Sequence, residues 1–334
     1  MTTKPIMLNG LLLAGIAALS AVSLLWGEHA FSFVQAMQDW WAGRHTVGAV
    51  ILGELRLPRV VLAIMVGGTL GLSGAVLQGY LRNPLADPGL LGVSGGAALG
   101  AVCVFYTGLA QLGLAMLPLG GLLGAVGAAA MLVLLVGQGG ALVLLLAGAA
   151  LSSFTAALTA LVLNLVPSPY ASFEIMRWLM GSLTDRTLLD VLLALPGVCL
   201  GTVLMASSGR ALDALTLGDD VATTLGFRLQ GVTGVQMRIV LGTSLAVGSC
   251  VAVSGAIGFV GLVVPHVLRA VTGHRPSRLL LPAFLGGAVL LLGADVLVRL
   301  AATHKELQIG VVTALIGAPV FFHRVIQFRK RGGF

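Results

Sequence analysis

The chain has 334 residues, 57% of them hydrophobic and only 9% charged, with a formal net charge of +7 and a mean hydropathy of +1.03. So little charge excludes a separate soluble domain and leaves nearly the whole chain to be solvated by lipid or by itself. The basic excess reads as membrane topology and attraction to anionic lipid headgroups, not as nucleic-acid binding.

Ten predicted spans follow in chain order, at 8–26, 60–80, 91–108, 113–137, 141–165, 188–206, 234–253, 257–271, 279–300 and 308–327. The first has a basic start and could pass for a secretion signal; it is read as retained, since more spans follow and no small-residue cleavage site precedes Glu28. Residues 88–173 contain no Asp, Glu, Lys or Arg, and about 20 apolar helical residues suffice for one crossing. Gly108, Gly113 and the glycine-rich stretch 137–140 divide that run into three. Residues 239–268 are long for one helix and short for two. Counting them as two makes the total even, which suits the basic residues at both ends, Lys4 and the group Arg329, Lys330 and Arg331. Most Lys and Arg then fall on the cytoplasmic side, with both termini inside. Backbone groups in lipid must bond internally and period-two alternation is missing, so the spans are helices and not barrel strands. The expectation is an all-α polytopic membrane protein of about ten transmembrane helices, one domain over residues 1–334.

Several chemistries lack their residues. The lysines precede Pro5, Glu306 and Arg331, so no P-loop lysine is followed by Ser or Thr. Cys103, Cys199 and Cys250 all fall within spans, without metal-ligand spacing or a disulfide framework, and no metal site is expected. Ionisable groups deep in the membrane, which gradient-driven carriers need, are nearly missing. Asp295 lies about 24 Å along a helix from Leu279, near the outer surface, and four residues before Arg299, the favourable order for a helical ion pair. The alternative function is an intramembrane serine hydrolase. Gly92-Val93-Ser94-Gly95-Gly96 fits G-x-S-x-G and Gly71-Leu72-Ser73-Gly74 resembles a protease nucleophile segment. Both matches are weak in a chain with 47 glycines, and the histidines that could activate Ser73 or Ser94 lie at span ends or in loops. No catalytic residue is assigned.

Three segments are more specific. The first is Arg56-Leu57-Pro58-Arg59, a glycine-rich helix, then Arg82-Asn83-Pro84-Leu85-Ala86-Asp87-Pro88-Gly89. The second is Leu215-Thr216-Leu217-Gly218-Asp219-Asp220-Val221 running on to Leu225-Gly226. The third joins Gly258-Phe259-Val260-Gly261-Leu262-Val263-Val264-Pro265-His266 to Ile309-Gly310 and Gly317-Ala318-Pro319. From about residue 50 onward the chain resembles the FecCD-type permeases, the membrane subunits of type II ABC importers for vitamin B12, haem and ferric siderophores. The resemblance implies a permease of the bacterial inner membrane, not an enzyme, that pairs with a second copy of itself. Two cytoplasmic ATP-binding cassette subunits, carrying ATP and Mg, would drive it, and a periplasmic binding protein would deliver a metal chelate; this chain itself would hold no cofactor.

Residue by residue, Asp219 and Asp220 suit the first turn of a short cytoplasmic helix and Gly226 suits its stop. Leu215, Leu217, Val221 and Leu225 give it an apolar side that needs a partner, either its own subunit or, as the resemblance implies for Gly218 and this whole segment (207–231), a groove of the ATPase. Arg56, Arg59 and Arg299 fall on the outer side. They either pair with local acids such as Glu54 and Asp295 or, by resemblance, receive carboxylates of the binding protein, a task suited to guanidinium. The pathway is expected by resemblance along spans five and ten, where Ser152, Ser153, Thr155 and Thr159 give span five a modest polar face. Gly139 to Val143, before Leu144, departs from the polar or basic residues that family members often carry at the inner gate. Pro84 and Pro88 with Asn83 and Asp87 predict a sharp re-entry. Pro265 and His266 predict a helix break, with His266 a packing residue and not a haem ligand.

Overall fold

A computed structural model describes residues 3–26, 32–231, 233–273, 275–301 and 307–330, with side chains described between residues 6 and 322. Glu28, Glu306 and Arg331, used above as sequence markers, lie outside the described residues, as do the side chains of Lys4, Arg329 and Lys330. Among the described residues there are helices and turns but no strand. In chain order they are α1 (Thr3–Leu25), the short α2 (Phe33–Trp41) and α3 (Val47–Val50), α4 (Leu57–Tyr80), α5 (Val93–Tyr106), α6 (Met116–Val136), α7 (Ala141–Leu165), α8 (Pro169–Leu179), α9 (Leu188–Ser207), α10 (Gly209–Leu215), α11 (Asp219–Thr224), α12 (Val235–Ser254), α13 (Val260–Thr272), α14 (Pro276–Ala301) and α15 (Ile309–Lys330). Seven helical stretches are long and apolar enough to cross a membrane, and three shorter apolar helices, α5, α13 and α15, make ten.

Two spans differ from expectation. The second begins 13 residues before the predicted position 60, because the helix is continuous from Val47 to Tyr80. Glu54, Arg56, Pro58 and Arg59 precede the predicted span, yet Ile51–Arg56 is a turn of π-helix and Pro58 and Arg59 lie in the first turn of α4. There the Leu57 N–H donates to the Leu52 carbonyl, one residue further back than in an α-helix, and Pro58 follows with no N–H to give.

The eighth span is not a helix from residue 257. Residues 255–259 run without helical bonding, Phe259 adopts φ +68°, and α13 begins only at Val260. Its 13 residues measure about 20 Å, short of a ~30 Å hydrocarbon core. Irregular backbone at that depth needs protein around it. Here a Cβ on Gly255 would lie 2.2 Å from the Trp178 carbonyl, and one on Gly317 of α15 would lie 2.4 Å from the Phe259 Cβ. The break predicted at Pro265 and His266 is displaced to this stretch, and Pro265 sits inside α13. Pro265 cannot donate to the Gly261 carbonyl. The buried Gln78 of α4 does so instead through Nε2 at 3.3 Å, while its Oε1 accepts from Arg269 at 2.9 Å.

The core forms where small residues let helix backbones meet, the usual solution in lipid, where burying apolar surface drives little. α4 packs most heavily on α14, α5 on α6 and α9 on α12. A Cβ on Gly71 would fall 2.1 Å from the Ala283 carbonyl of α14, and one on Gly74 would fall 1.9 Å from that of Gly261. Gly100 against Gly120 and Gly201 against Gly242 repeat the device.

Candidate functional site

Three groups of side chains stand apart from this packing. The first is the connection between α9 and α12. α10 lies against α14 and α4, and its Asp213 accepts from the Ser277 N–H at 2.9 Å and the Ser277 hydroxyl at 2.6 Å, capping the first turn of α14. After Gly218, at φ +110°, α11 begins with Asp219 and Asp220 in its first turn. It ends in a glycine stop: Gly226, at φ +87°, donates to the Thr223 carbonyl at 2.9 Å, and Phe227 to that of Ala222 at 3.1 Å. Arg82, itself in the left-handed region, pairs with Asp219 at 2.8 Å. The four apolar residues named from sequence divide. Leu215 is buried in its own chain, whereas Leu217, Val221 and Leu225 stand 66%, 41% and 61% exposed on a segment held at both ends.

The second group lies at the opposite end of the bundle. Asp295, with no exposed surface, receives the Arg59 Nε and an Arg299 terminal nitrogen, each at 2.7 Å. Arg299 also donates to the Ser23 carbonyl at 3.0 Å and to its hydroxyl, and Arg56 to the Leu24 carbonyl at 2.7 Å. The three arginines predicted to face a partner thus all have partners within the chain, and they fasten α14 and the π-helical turn to the end of α1. Glu54 is not among the acids they pair with in the described hydrogen bonds. Removing one member of such a buried pair typically costs about 3–5 kcal/mol, since a charge is left uncompensated.

The third is an open concavity of about 420 Å³ between α5 and α7, lined by Gly95, Ala98, Ser152, Ala156, Thr159 and Leu163 among others. Ser152 and Thr159 of the predicted polar face reach it. Thr155 is buried against Gly95 instead, and Ser153 is exposed outside the lining. Ser152 donates to the Gly89 carbonyl at 3.2 Å and Thr159 to that of Thr155 at 2.8 Å, so both spend their protons on backbone. The small residues opposite them carry no polar signal, and sequence gave no reason to single them out.

The hydrolase alternative finds no support. Ser73 is fully buried, and its hydroxyl donates to the Thr69 and Leu70 carbonyls of its own helix at 2.8 and 3.1 Å. Ser94 opens α5 after a 3₁₀ turn, Pro88–Leu91, and not after a strand, as a nucleophile elbow requires. Among the described residues no three His, Cys, Asp or Glu side chains gather as metal ligands.

The chain matches the FecCD transport family over residues 13–327. It is 38% identical over 320 residues to the Fe(3+) dicitrate transport system permease protein FecD of Escherichia coli, covering 96% of this chain and 97% of that one. It is 35% identical to the cobalamin import system permease protein BtuC of Halobacterium salinarum, covering 96% and 89%. To the hemin transport system permease protein HmuU of Yersinia pestis it is 38% identical, covering 83% and 84%. A solved structure described as a metal-chelate type ABC transporter in an inward-facing conformation superposes with a TM-score of 0.81 at 31% identity, covering 96% of this chain and 99% of that one. With its helical bundle and nearly its whole length accounted for, the chain belongs to the FecCD transport family, as a membrane-spanning transport subunit and not an enzyme.

Proposed function

We propose that this chain is the conduit of an importer that moves a metal chelate of the ferric siderophore, haem or vitamin B12 class from periplasm to cytoplasm across a bacterial inner membrane. Two copies stand side by side, with α7 and α15 of each flanking the path and both termini in the cytoplasm. The chain is one transmembrane domain, within which residues 207–231 couple to a separate ATPase subunit, one per copy, that binds the ATP and Mg. A periplasmic binding protein delivers the cargo to the end that carries Arg56, Arg59 and Arg299. The permeases of ferric dicitrate, hemin and cobalamin systems among its relatives support this cargo class.

The observation that carries the reading is α11. An apolar surface of Leu217, Val221 and Leu225 costs stability when wet, and it is presented by α11 and the residues that flank it, a segment stopped by Gly226 and tied back through Asp219 to Arg82. Such a fixed apolar knob fits a groove on a second protein. Replacing Leu217 and Leu225 together by Asp is expected to abolish co-purification of the ATPase, a loss of at least about tenfold in affinity, while the permease still inserts and migrates as a single species. Undiminished co-purification and uptake would reject the assignment.

A further inference from the structure

The three arginines at the Asp295 end are not equivalent. Arg299 is consumed: its terminal nitrogens go to Asp295 and to the carbonyl and hydroxyl of Ser23, and its Nε is buried without a partner. Arg56 is buried and holds the Leu24 carbonyl. Arg59 differs. It gives Asp295 its Nε, while among the described residues its two terminal nitrogens make no hydrogen bond and neither is a buried unpartnered atom; the difference from Arg299 lies in which nitrogens are committed and not in exposure, which is 16% for Arg59 and 18% for Arg299.

A guanidinium has two ways to take a carboxylate with paired hydrogen bonds, side-on through Nε and one terminal nitrogen or end-on through both terminal nitrogens. At Arg59, Asp295 occupies the Nε and leaves the end-on pair. We infer that Asp295 is a positioning residue that aims the end-on fork of Arg59 at a carboxylate of the external binding protein, while Arg299 serves to hold Asp295 in place. This rests on the docking role proposed above for this end of the protein and assigns its division of labour. Fixing the fork before contact removes ordering cost from the encounter, which is how a single largely covered arginine can carry a docking interaction.

Charge and aim predict opposite results at Asp295, and that makes the idea testable. Asp295→Asn adds one unit of positive charge to the face. If the acid merely tempers the field, its loss tightens docking; if it aims Arg59, its loss weakens docking although the field has grown. The measurement is the affinity of the importer's own binding protein for the full permease and ATPase assembly in nanodiscs across a salt series, with thermal melting and ATPase activity followed in each variant to confirm folding. Arg59→Ala is expected to weaken docking about tenfold and to flatten its salt dependence, and Arg59→Lys to recover little, since an ammonium has no fork. Asp295→Asn is expected to weaken docking about fivefold, and to add nothing once Arg59 is already Ala. A second readout needs no partner. Phenylglyoxal, which condenses with the two terminal nitrogens of an open guanidinium, should label Arg59 ahead of Arg299 on the intact permease, as read by mass spectrometry, and Asp295→Asn should expose Arg299 to it. Tighter docking in Asp295→Asn, additive losses in the double variant, or equal labelling of the two arginines would overturn the inference. Docking unmoved by Arg56→Ala, Arg59→Ala and Arg299→Ala alike would overturn the docking role itself.

Discussion

α4 and α7 have nearly the same hydropathy and opposite surroundings. The span that contains α4 has a mean hydropathy of 2.2 and is 83% buried within the chain; α7 has 2.1 and is 22% buried. Apolar character therefore decides that a segment crosses the membrane and says nothing of what it touches. The neighbours are chosen by small residues in rows. Gly67, Gly71 and Gly74 of α4 each bring its backbone against α14 or α13, whereas α7 makes one such approach, Gly148 against the Leu90 carbonyl. What α4 spends on its own chain, α7 leaves open to lipid, to cargo or to another subunit.

The contrast can be broken first where it is sharpest. Gly74→Val places carbon atoms where the Gly261 carbonyl stands, and overpacking of that kind costs about 1–3 kcal/mol or more. The expected result is a marked fall in the melting midpoint of the detergent-solubilised protein. Gly127→Val on α6, where a Cβ meets nothing within 4 Å, should change stability by less than about 0.5 kcal/mol. Equal effects would mean that the glycine rows do not organise the bundle. A smaller effect, confined to transport, is expected from Ser152→Leu with Thr159→Leu. Filling the α5 and α7 concavity should lower uptake into proteoliposomes about tenfold with melting unchanged, whereas a loss of stability instead would make that face structural. The smallest is Arg82→Ala. Its pair with Asp219 is about half exposed on both sides, so less than about 1 kcal/mol should be lost, measured as ATPase affinity.

What was legible in the sequence follows the range of the forces involved. α7 was predicted at 141–165 and runs Ala141–Leu165, because a glycine-rich stretch and Pro167 bracket one apolar segment. α11 was legible too: two acids in a first turn and a glycine two residues past the last threonine are local signals, and they are obeyed locally. The failures depend on distant partners. Pro265 reads as a break until Gln78, 183 residues from Gly261, supplies that residue's carbonyl with the donor that the proline lacks. Arg59 and Asp295 are 236 residues apart, so the sequence could set local pairing beside docking but could not say which nitrogen each arginine commits. Residues 257–259 read as the start of a helix because apolar glycine-rich sequence in lipid defaults to helix. The irregular stretch 255–259 is instead packed closely by distant residues, Trp178 and Gly181 against Gly255 and Gly317 against Phe259. Leu215 and Leu217 are alike in type and two apart, and only the packing of α10 on α14 separates the buried one from the exposed one.

The π-helical turn at Ile51–Arg56 has a consequence for how the Asp295 end tolerates change. A π turn accommodates one more residue than the α-helix it interrupts, and each residue of an α-helix is worth about 100° of rotation. Shortening the chain by a single residue there would let the helix close up smoothly, with every backbone bond made, and yet swing Gly53 away from the Trp40 ring that it now touches and turn Arg56 off the end of α1. The surplus residue is a phase setting. It lets one unbroken rod present two faces that an ideal helix could not offer together, one to its membrane neighbours and one to the mouth of the protein.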